Sequence, residues 1–305
     1  MKKLLITGSN GQLGSDCFNF FSELDEKLEV VGIDLPLVDL TKKTESFNFL
    51  NQFKPDVIIN CAAYTAVDNC EDDLLCWKCN EDIPNNLSLW SSSNNAYLIH
   101  ISTDYVFNGK KKKDNFWLEN DTTCPLSEYG RSKLAGEEII QKNMNNFSII
   151  RTAWLYGING DNFLKKILKL SYQKQKIHLD EKNNRNGIKV VSDQFGSPTS
   201  TESLVKQIKL IIDKKLNGII HATSEGYCSW YDFAEASAKE MNIKSNFIPC
   251  STEEFITKAK RPKNSILENY ILKDNNINSF LNWRNELKSF IEKYKEDLKT
   301  EIEKQ

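Results

Sequence analysis

Histidine is scarce in this chain, three among 305 residues. That scarcity bears on Cys76-Trp77-Lys78-Cys79, a C-x-x-C that could serve as half of a zinc site. No histidine or further cysteine stands at ligand spacing to supply the other half, so a zinc site is excluded. Long apolar runs are also missing, and none approaches the roughly 20 residues that cross a bilayer. The opening MKKLLITGSNG breaks its apolar run at Ile6, too early for a signal peptide. Charge of one sign is not in excess either: 40 Lys and Arg against 42 Asp and Glu leave a net charge of -2. No basic field for nucleic acid and no acidic tail result. The chain therefore reads as a cytoplasmic globular protein with neither a membrane nor a nucleic-acid partner. Internal repeats and long linkers are absent as well. The eight cysteines are scattered, and in a cytosolic chain they are expected to be free thiols. On a helix Cys76 and Cys79 share a face, which leaves room for an adventitious disulfide.

What is present is a rhythm. Strands are predicted at 3–7, 30–34, 57–61, 97–102 and 148–151, with helical spacing at 13–24, 45–53 and 71–93 between them. These strands are apolar on both faces, as expected when helices cover both sides of a parallel sheet. Strand–helix–strand alternation of this kind predicts an α/β fold with a doubly wound sheet. Beyond Gly157 a helix is predicted at 161–172, then an exposed turn in LDEKNNRNG, a strand at 189–192, a helix at 201–216 and a buried strand at 218–222. Helices at 230–241 and 279–292 follow, and the polar end KYKEDLKTEIEKQ reads as a fraying helix or a solvated tail.

Strand one runs into Gly8-Ser9-Asn10-Gly11-Gln12-Leu13-Gly14, with glycines three apart. Such a turn between a strand and a helix lets the backbone approach a pyrophosphate, which then faces the helix N-terminus. Asp34 ends the second strand, 20 residues beyond Gly14, where a carboxylate accepts from the ribose hydroxyls and favours NADH over NADPH. Asp39 and Leu40 are placed by position beside the adenine.

Hydride transfer to a ketone requires a proton donor. Tyr129 and Lys133 stand four apart in CPLSEYGRSKLAGEE, on one face of a predicted helix. The lysine charge is expected to lower the phenol towards neutrality. Ile101-Ser102-Thr103-Asp104 lies at a strand end, where sites open in doubly wound sheets. His100 and His221 fall within apolar strands and read as core histidines.

Taken together, GSNGQLG, PDVIINCAAYTAVDNCE, ISTDYVFNG, YGRSKLAGE, RTAWLYG, DQFGSPT, WYDFA and RPKNS resemble the extended short-chain dehydrogenases/reductases. Within them they resemble the dTDP-4-dehydrorhamnose reductases, from Met1 to about Trp283. The resemblance implies a Rossmann domain over 1–156, with 189–222 returning to it, and a smaller interleaved substrate-binding lobe with a C-terminal helix over 157–305. It implies NADH or NADPH as cofactor, and reduction of the 4-keto group of a nucleotide-activated 6-deoxysugar. By the same resemblance Gly8, Gly11, Gln12, Leu13 and Gly14 hold the pyrophosphate, and Ala62, Ala63 and Tyr64 run along the cofactor. Thr103 bonds the substrate C4 oxygen and Asp104 contacts the sugar. Tyr129 donates the proton, Lys133 assists it, and Asn80 positions the lysine or a relay water. Trp154 packs on the deoxysugar, and Arg261 and Asn264 approach the nucleotide.

Some relatives dimerise around a metal held by glutamates. Ser15 aligns with the first of these, so no metal is predicted, and a homodimer is allowed without being required. The 179–187 loop is longer than the usual connection. The alternatives are a reductase or epimerase acting on another nucleotide-activated keto-deoxysugar, or a non-catalytic cofactor-binding relative. An intact Thr103, Tyr129 and Lys133 set argues against the last.

Overall fold

The computed structural model describes residues 2–178 and 187–303. In chain order its elements are β1 (Lys2–Thr7), α1 (Gln12–Leu24), β2 (Leu28–Ile33), α2 (Lys43–Phe53), β3 (Val57–Asn60), α3 (Leu75–Trp77), α4 (Ile83–Asn94), β4 (Tyr97–Thr103), α5 (Glu128–Asn143) and β5 (Phe147–Thr152). There follow β6 (Leu155–Tyr156), α6 (Phe163–His178), β7 (Ile188–Val191), β8 (Phe195–Gly196), β9 (Thr199–Ser200), α7 (Thr201–Lys214), β10 (Gly218–His221), β11 (Cys228–Ser229), α8 (Trp230–Glu240), β12 (Phe247–Cys250), α9 (Tyr270–Asp274) and α10 (Trp283–Glu303). The long 179–187 connection lies outside the described residues except for Gly187.

Six strands form one parallel sheet in the order β2-β1-β3-β4-β5-β10. Alternation along each strand divides the core between its two faces. Leu4, Ile6, Ile59, Ile99 and Ile150 pack with α1 and α7 on one side, through Cys17, Phe21, Leu204 and Ile208. Leu5, Ile58, Leu98 and Ile149 pack with α2, α4 and α5 on the other, through Leu50, Leu87, Trp90 and Ile140. Strand order reverses direction between β1 and β3, so the sheet opens a crevice there at its carboxyl edge.

The chain re-enters the sheet at β10, while β7 pairs with β12 in a separate ladder. That ladder, α6, α8 and α10 enclose two further cores, one around Tyr156, Phe233, Trp283 and Phe290 and one around Val190, Ala234 and Phe247. Local chemistry fixes the helix ends. Ser127 accepts from Gly130 N at the start of α5, and Ser229 and Asp232 form a capping box on α8.

Three expectations fail. The predicted 71–93 helix is broken into a 3₁₀ turn, α3, a π turn at Lys78–Asp82 and α4. The polar tail is neither frayed nor simply solvated, since α10 runs to Glu303 and buries Leu298 and Ile302. Its two apolar residues stand four apart on one face, and that stripe suffices to dock a helix otherwise covered in charge. The cysteines are not all free: Cys70 and Cys76 form a disulfide, because the turn before α3 folds back and leaves their Cα atoms 5.2 Å apart.

One buried ion pair ties α5 to the sheet. Arg151 of β5 donates to Glu137 through Nε and Nη2, the latter at 2.6 Å, and Ser102 of β4 donates to the same carboxylate at 2.5 Å. Both charged side chains are almost fully buried, at 3% and 0% exposure. Two stability predictions follow from this packing. Glu137→Leu leaves the guanidinium unpaired and should cost about 3–5 kcal/mol, whereas Leu298→Ala should cost about 2–5 kcal/mol by opening a cavity. Urea unfolding of each variant measures both. A loss below about 0.5 kcal/mol would mean the pair is solvated, or for Leu298 that the end of α10 is not docked.

Candidate active site

The turn between β1 and α1 is built on close approach. Gly8 has a φ of +65°, and a Cβ there would lie 2.8 Å from the backbone nitrogen of Ala62. A Cβ on Gly14 would lie 2.0 Å from the Gly8 carbonyl oxygen. Glycine is therefore required at both positions. Gly11 caps α1 without a side chain, and no acidic residue occupies its first turn. The N-terminal N–H groups are thus available to an anion such as a pyrophosphate. Leu13 contributes only backbone, its side chain lying in the core. The Gln12 amide is engaged from the second lobe, its oxygen accepting from Asn162 at 2.8 Å.

At the end of β2, Asp34 accepts from Asn10 N at 3.1 Å and Leu35 N at 2.8 Å. The carboxylate thus pins the glycine turn. Asp39 accepts from the hydroxyl and N–H of Thr41, and that hydroxyl above all holds the carboxyl below its usual range. Leu40 is buried in the core with Leu50 and Leu87. Position alone suggested an adenine contact for these two, and their side chains serve the start of α2 and the core.

Beyond β3, Asn80 and Tyr64 bond each other reciprocally, Tyr64 N donating at 2.9 Å and Asn80 Nδ2 returning to the Tyr64 carbonyl at 3.1 Å. This fixes the backbone from Ala62 through Ala63 to Tyr64 along the crevice. Asn80 also donates to Ser132 Oγ at 3.0 Å, which donates to the Tyr129 carbonyl at 2.9 Å. Asn80 therefore reaches the helix beside Lys133 rather than bonding the lysine itself. A Cβ on Gly136 would come within 2.4 Å of the Asn80 carbonyl oxygen, so the π turn and α5 touch backbone to backbone.

Thr103 ends β4, and its hydroxyl donates to Asp104 at 3.0 Å. Asp104 is 2% exposed, and its second carboxylate oxygen has no partner. Burial pushes this carboxyl up to about 6, against the pull of Ser265 and Thr103. Tyr129 lies edge-on to Tyr105 with ring centroids 5.5 Å apart. Its phenol is not lowered as expected: burial pushes it up to about 12, opposed by a hydrogen bond with Thr103. Lys133 is 2% exposed, and burial brings it down to about 8, with Glu137 acting the other way. The sequence reading omitted this desolvation, which sets the direction at the phenol, with the Asp104 charge adding to it. At neutral pH the pair is a protonated phenol beside a mostly protonated amine, the forms a proton donor and its supporter need.

On the far side, Trp154 adopts a φ of +49° and stacks on Trp230 with centroids 3.4 Å apart. Its ring edge also lies over Gly196, where a Cβ would approach to 2.4 Å. Arg261 donates to Asp68 at 2.8 and 3.1 Å and to the Ala259 carbonyl. Asn264 is 2% exposed and donates to the carbonyls of Lys111, Lys112 and Asn115. It clamps the lysine-rich loop. Sequence reasoning missed Tyr105, Asp68 and Ser265, although each lies inside or beside a quoted motif; pairing across 193 residues, as between Asp68 and Arg261, leaves no local signal.

Residues 1–296 match the family model described as the RmlD substrate binding domain. A dTDP-4-dehydrorhamnose reductase of Aggregatibacter actinomycetemcomitans is 36% identical over 88% of this chain and 91% of its own. The crystal structure of a dTDP-4-dehydrorhamnose reductase from Clostridium acetobutylicum superposes with a TM-score of 0.88 at 40% identity, covering 96% of this chain and 99% of that one. The Bacillus anthracis enzyme of the same name, in complex with NADP, gives 0.88 at 36% identity, over 96% and 100%. With a glycine cradle, a Thr–Tyr–Lys set and similarity over nearly its whole length, the chain belongs to the RmlD family of extended short-chain dehydrogenases/reductases, the family of the dTDP-4-dehydrorhamnose reductases.

Proposed function

We propose that this protein reduces the 4-keto group of dTDP-4-dehydro-L-rhamnose to give dTDP-L-rhamnose, using NADH or NADPH. The observation that carries the reading is the joint presence of Thr103, a protonated Tyr129 and a buried Lys133 at the carboxyl edge of β4. This edge faces the same crevice as the glycine turn.

The cofactor would be held by the N–H groups at Gln12 and Leu13, by the close backbone approach at Gly8, Gly11 and Gly14, by Asp34 and by the Ala62–Tyr64 segment. When bound, a nicotinamide supplies the hydride. The chain's own part is the proton. Thr103 donates to the C4 oxygen and orients the carbonyl. Tyr129 gives its phenolic proton to that oxygen as negative charge develops there. Lys133 stabilises the phenolate left behind and returns a proton to it. Asp104, with an oxygen free to accept, would bind a sugar hydroxyl. Trp154 would offer an apolar wall, and Arg261 would add positive charge at the nucleotide end. Among the described residues no helix is long and apolar enough to cross a membrane. The reading carries with it a cytoplasmic location and is compatible with a homodimer.

Mixing the purified protein with dTDP-4-dehydro-L-rhamnose and either nicotinamide tests the reading directly. Cofactor oxidation with formation of dTDP-L-rhamnose is expected, and the Asp34 carboxylate should make NADH at least as effective as NADPH. Tyr129→Phe should lower kcat by about 10²–10⁴-fold while nicotinamide binding, followed by fluorescence titration, stays unchanged. Full activity in that variant would remove Tyr129 from the proton-donor role. In the parent, kcat should fall as pH rises through about 8, where Lys133 loses its proton; a rate flat to pH 10 would sink the lysine assignment.

A further inference from the structure

Three buried polar side chains stand in one rung of the sheet. Thr7 of β1 is in register with Asn60 of β3, and Asn60 with His100 of β4. Thr7 Oγ1 lies 2.6 Å from Asn60 Oδ1, and Asn60 Nδ2 lies 2.9 Å from His100 Nδ1. The other ring nitrogen, Nε2, lies 3.3 Å from Lys133 Nζ. Thr7, Asn60 and His100 are all at most 1% exposed. Sequence reading assigned His100 to the core, and it is in the core, but it ends a polar file aimed at the lysine of the proton relay.

A neutral imidazole has one N–H and one bare nitrogen, and the two can exchange. His100 is neutral, because burial and the Lys133 charge hold it well below its ordinary value. Facing an ammonium, Nε2 is bare and accepts, and Nδ1–H donates to Asn60 Oδ1 once the amide has turned over from the orientation seen here, in which Nδ2 faces Nδ1. Facing a neutral amine, Nε2–H donates to the amine lone pair, and Nδ1 accepts from the Asn60 NH₂ group. The Thr7 hydroxyl can donate or accept at the far end, so the file is satisfied in either direction. We propose that His100, oriented by Asn60 and Thr7, is a positioning residue that keeps Lys133 hydrogen-bonded in both of its protonation states.

This inference rests on the relay role given to Lys133 above. In turnover the Tyr129 O–H bond breaks and an O–H bond forms on the sugar. A Lys133 N–H bond then breaks as the phenol is restored, leaving an amine that later regains its proton from solvent. Without a reversible partner, one of those states would leave a buried polar group unpaired, at a cost of about 1–3 kcal/mol. The carbonyl of Ile101, 2.7 Å from Nζ, accepts in both states but cannot donate. The other titratable groups facing the lysine are Glu137 on α5 and Cys61 beyond β3.

Two substitutions separate the ring's two ends. His100→Gln retains an amide where Nε2 stands, and His100→Asn retains one where Nδ1 stands. The Lys133 amine is titrated by NMR in protein labelled with ¹⁵N-lysine, its signal assigned by its loss in Lys133→Met. The glutamine variant should titrate with the parent, near 8. The asparagine variant should titrate roughly one pH unit lower, because burial of the ammonium is no longer offset. Its kcat should lose its alkaline limb at correspondingly lower pH, with KM for the nucleotide sugar unchanged. Equal titration in all three proteins, or equal displacement of both variants, would overturn the proposal. His100→Leu takes the place of the asparagine variant should that one not fold. The titration needs no substrate, so a parent that turns over no nucleotide sugar refutes the proposed function and leaves this test intact.

Discussion

Helix α5 carries Tyr129 and Lys133, and a helix can slide or roll on a sheet unless something directional holds it. The Glu137 carboxylate provides that hold. It stands one turn beyond Lys133 and receives Arg151 from β5 and Ser102 from β4. Apolar packing alone is non-directional, whereas a fork of charge-assisted bonds in a dry setting admits one register. The same carboxylate is the principal charge favouring the ammonium of Lys133. One buried group therefore sets both the place of Tyr129 and Lys133 and, in part, the charge of the lysine.

The remaining contacts extend that frame toward the second lobe. Asn162 engages Gln12 beside the glycine turn, and Thr201 at the start of α7 donates to Asp16 of α1. A Cβ at Gly160 would lie 3.2 Å from the Gln12 side chain, so the loop after β6 lies directly over the start of α1. The cradle is thereby flanked by chain from beyond the sheet, and the crevice lies where the two sets of elements meet. Trp154, held in left-handed backbone and stacked on Trp230, sits at that boundary, where strain is often kept for a functional reason.

Much of this was legible in the sequence, and the reasons differ by element. The sheet strands read clearly because both faces are covered, which turns Leu4–Ile6 and Ile58–Ile59 into continuous apolar runs. The glycine turn read clearly because its spacing is enforced by backbone contact. The end of α10 did not, since two buried residues among so many charges give little periodic signal. The break at Lys78–Asp82 was hidden because a π turn leaves composition unchanged. The direction at the Tyr129 phenol was misjudged because desolvation depends on neighbours distant in sequence. Asn264 and Arg261 were found by motif, yet only the fold reveals that each is already bonded to protein.

The central claim is that a hydride reaches the keto carbon and a proton its oxygen, beside Thr103 and Tyr129. Reduction of dTDP-4-dehydro-L-rhamnose with a nicotinamide deuterated at C4, followed by NMR of the sugar, tests it most directly. The account predicts a single deuterium at C4 of the product, on one face, with dTDP-L-rhamnose as the only stereoisomer. Deuterium retained in the cofactor while the substrate is consumed, or a mixture of C4 epimers, would contradict it.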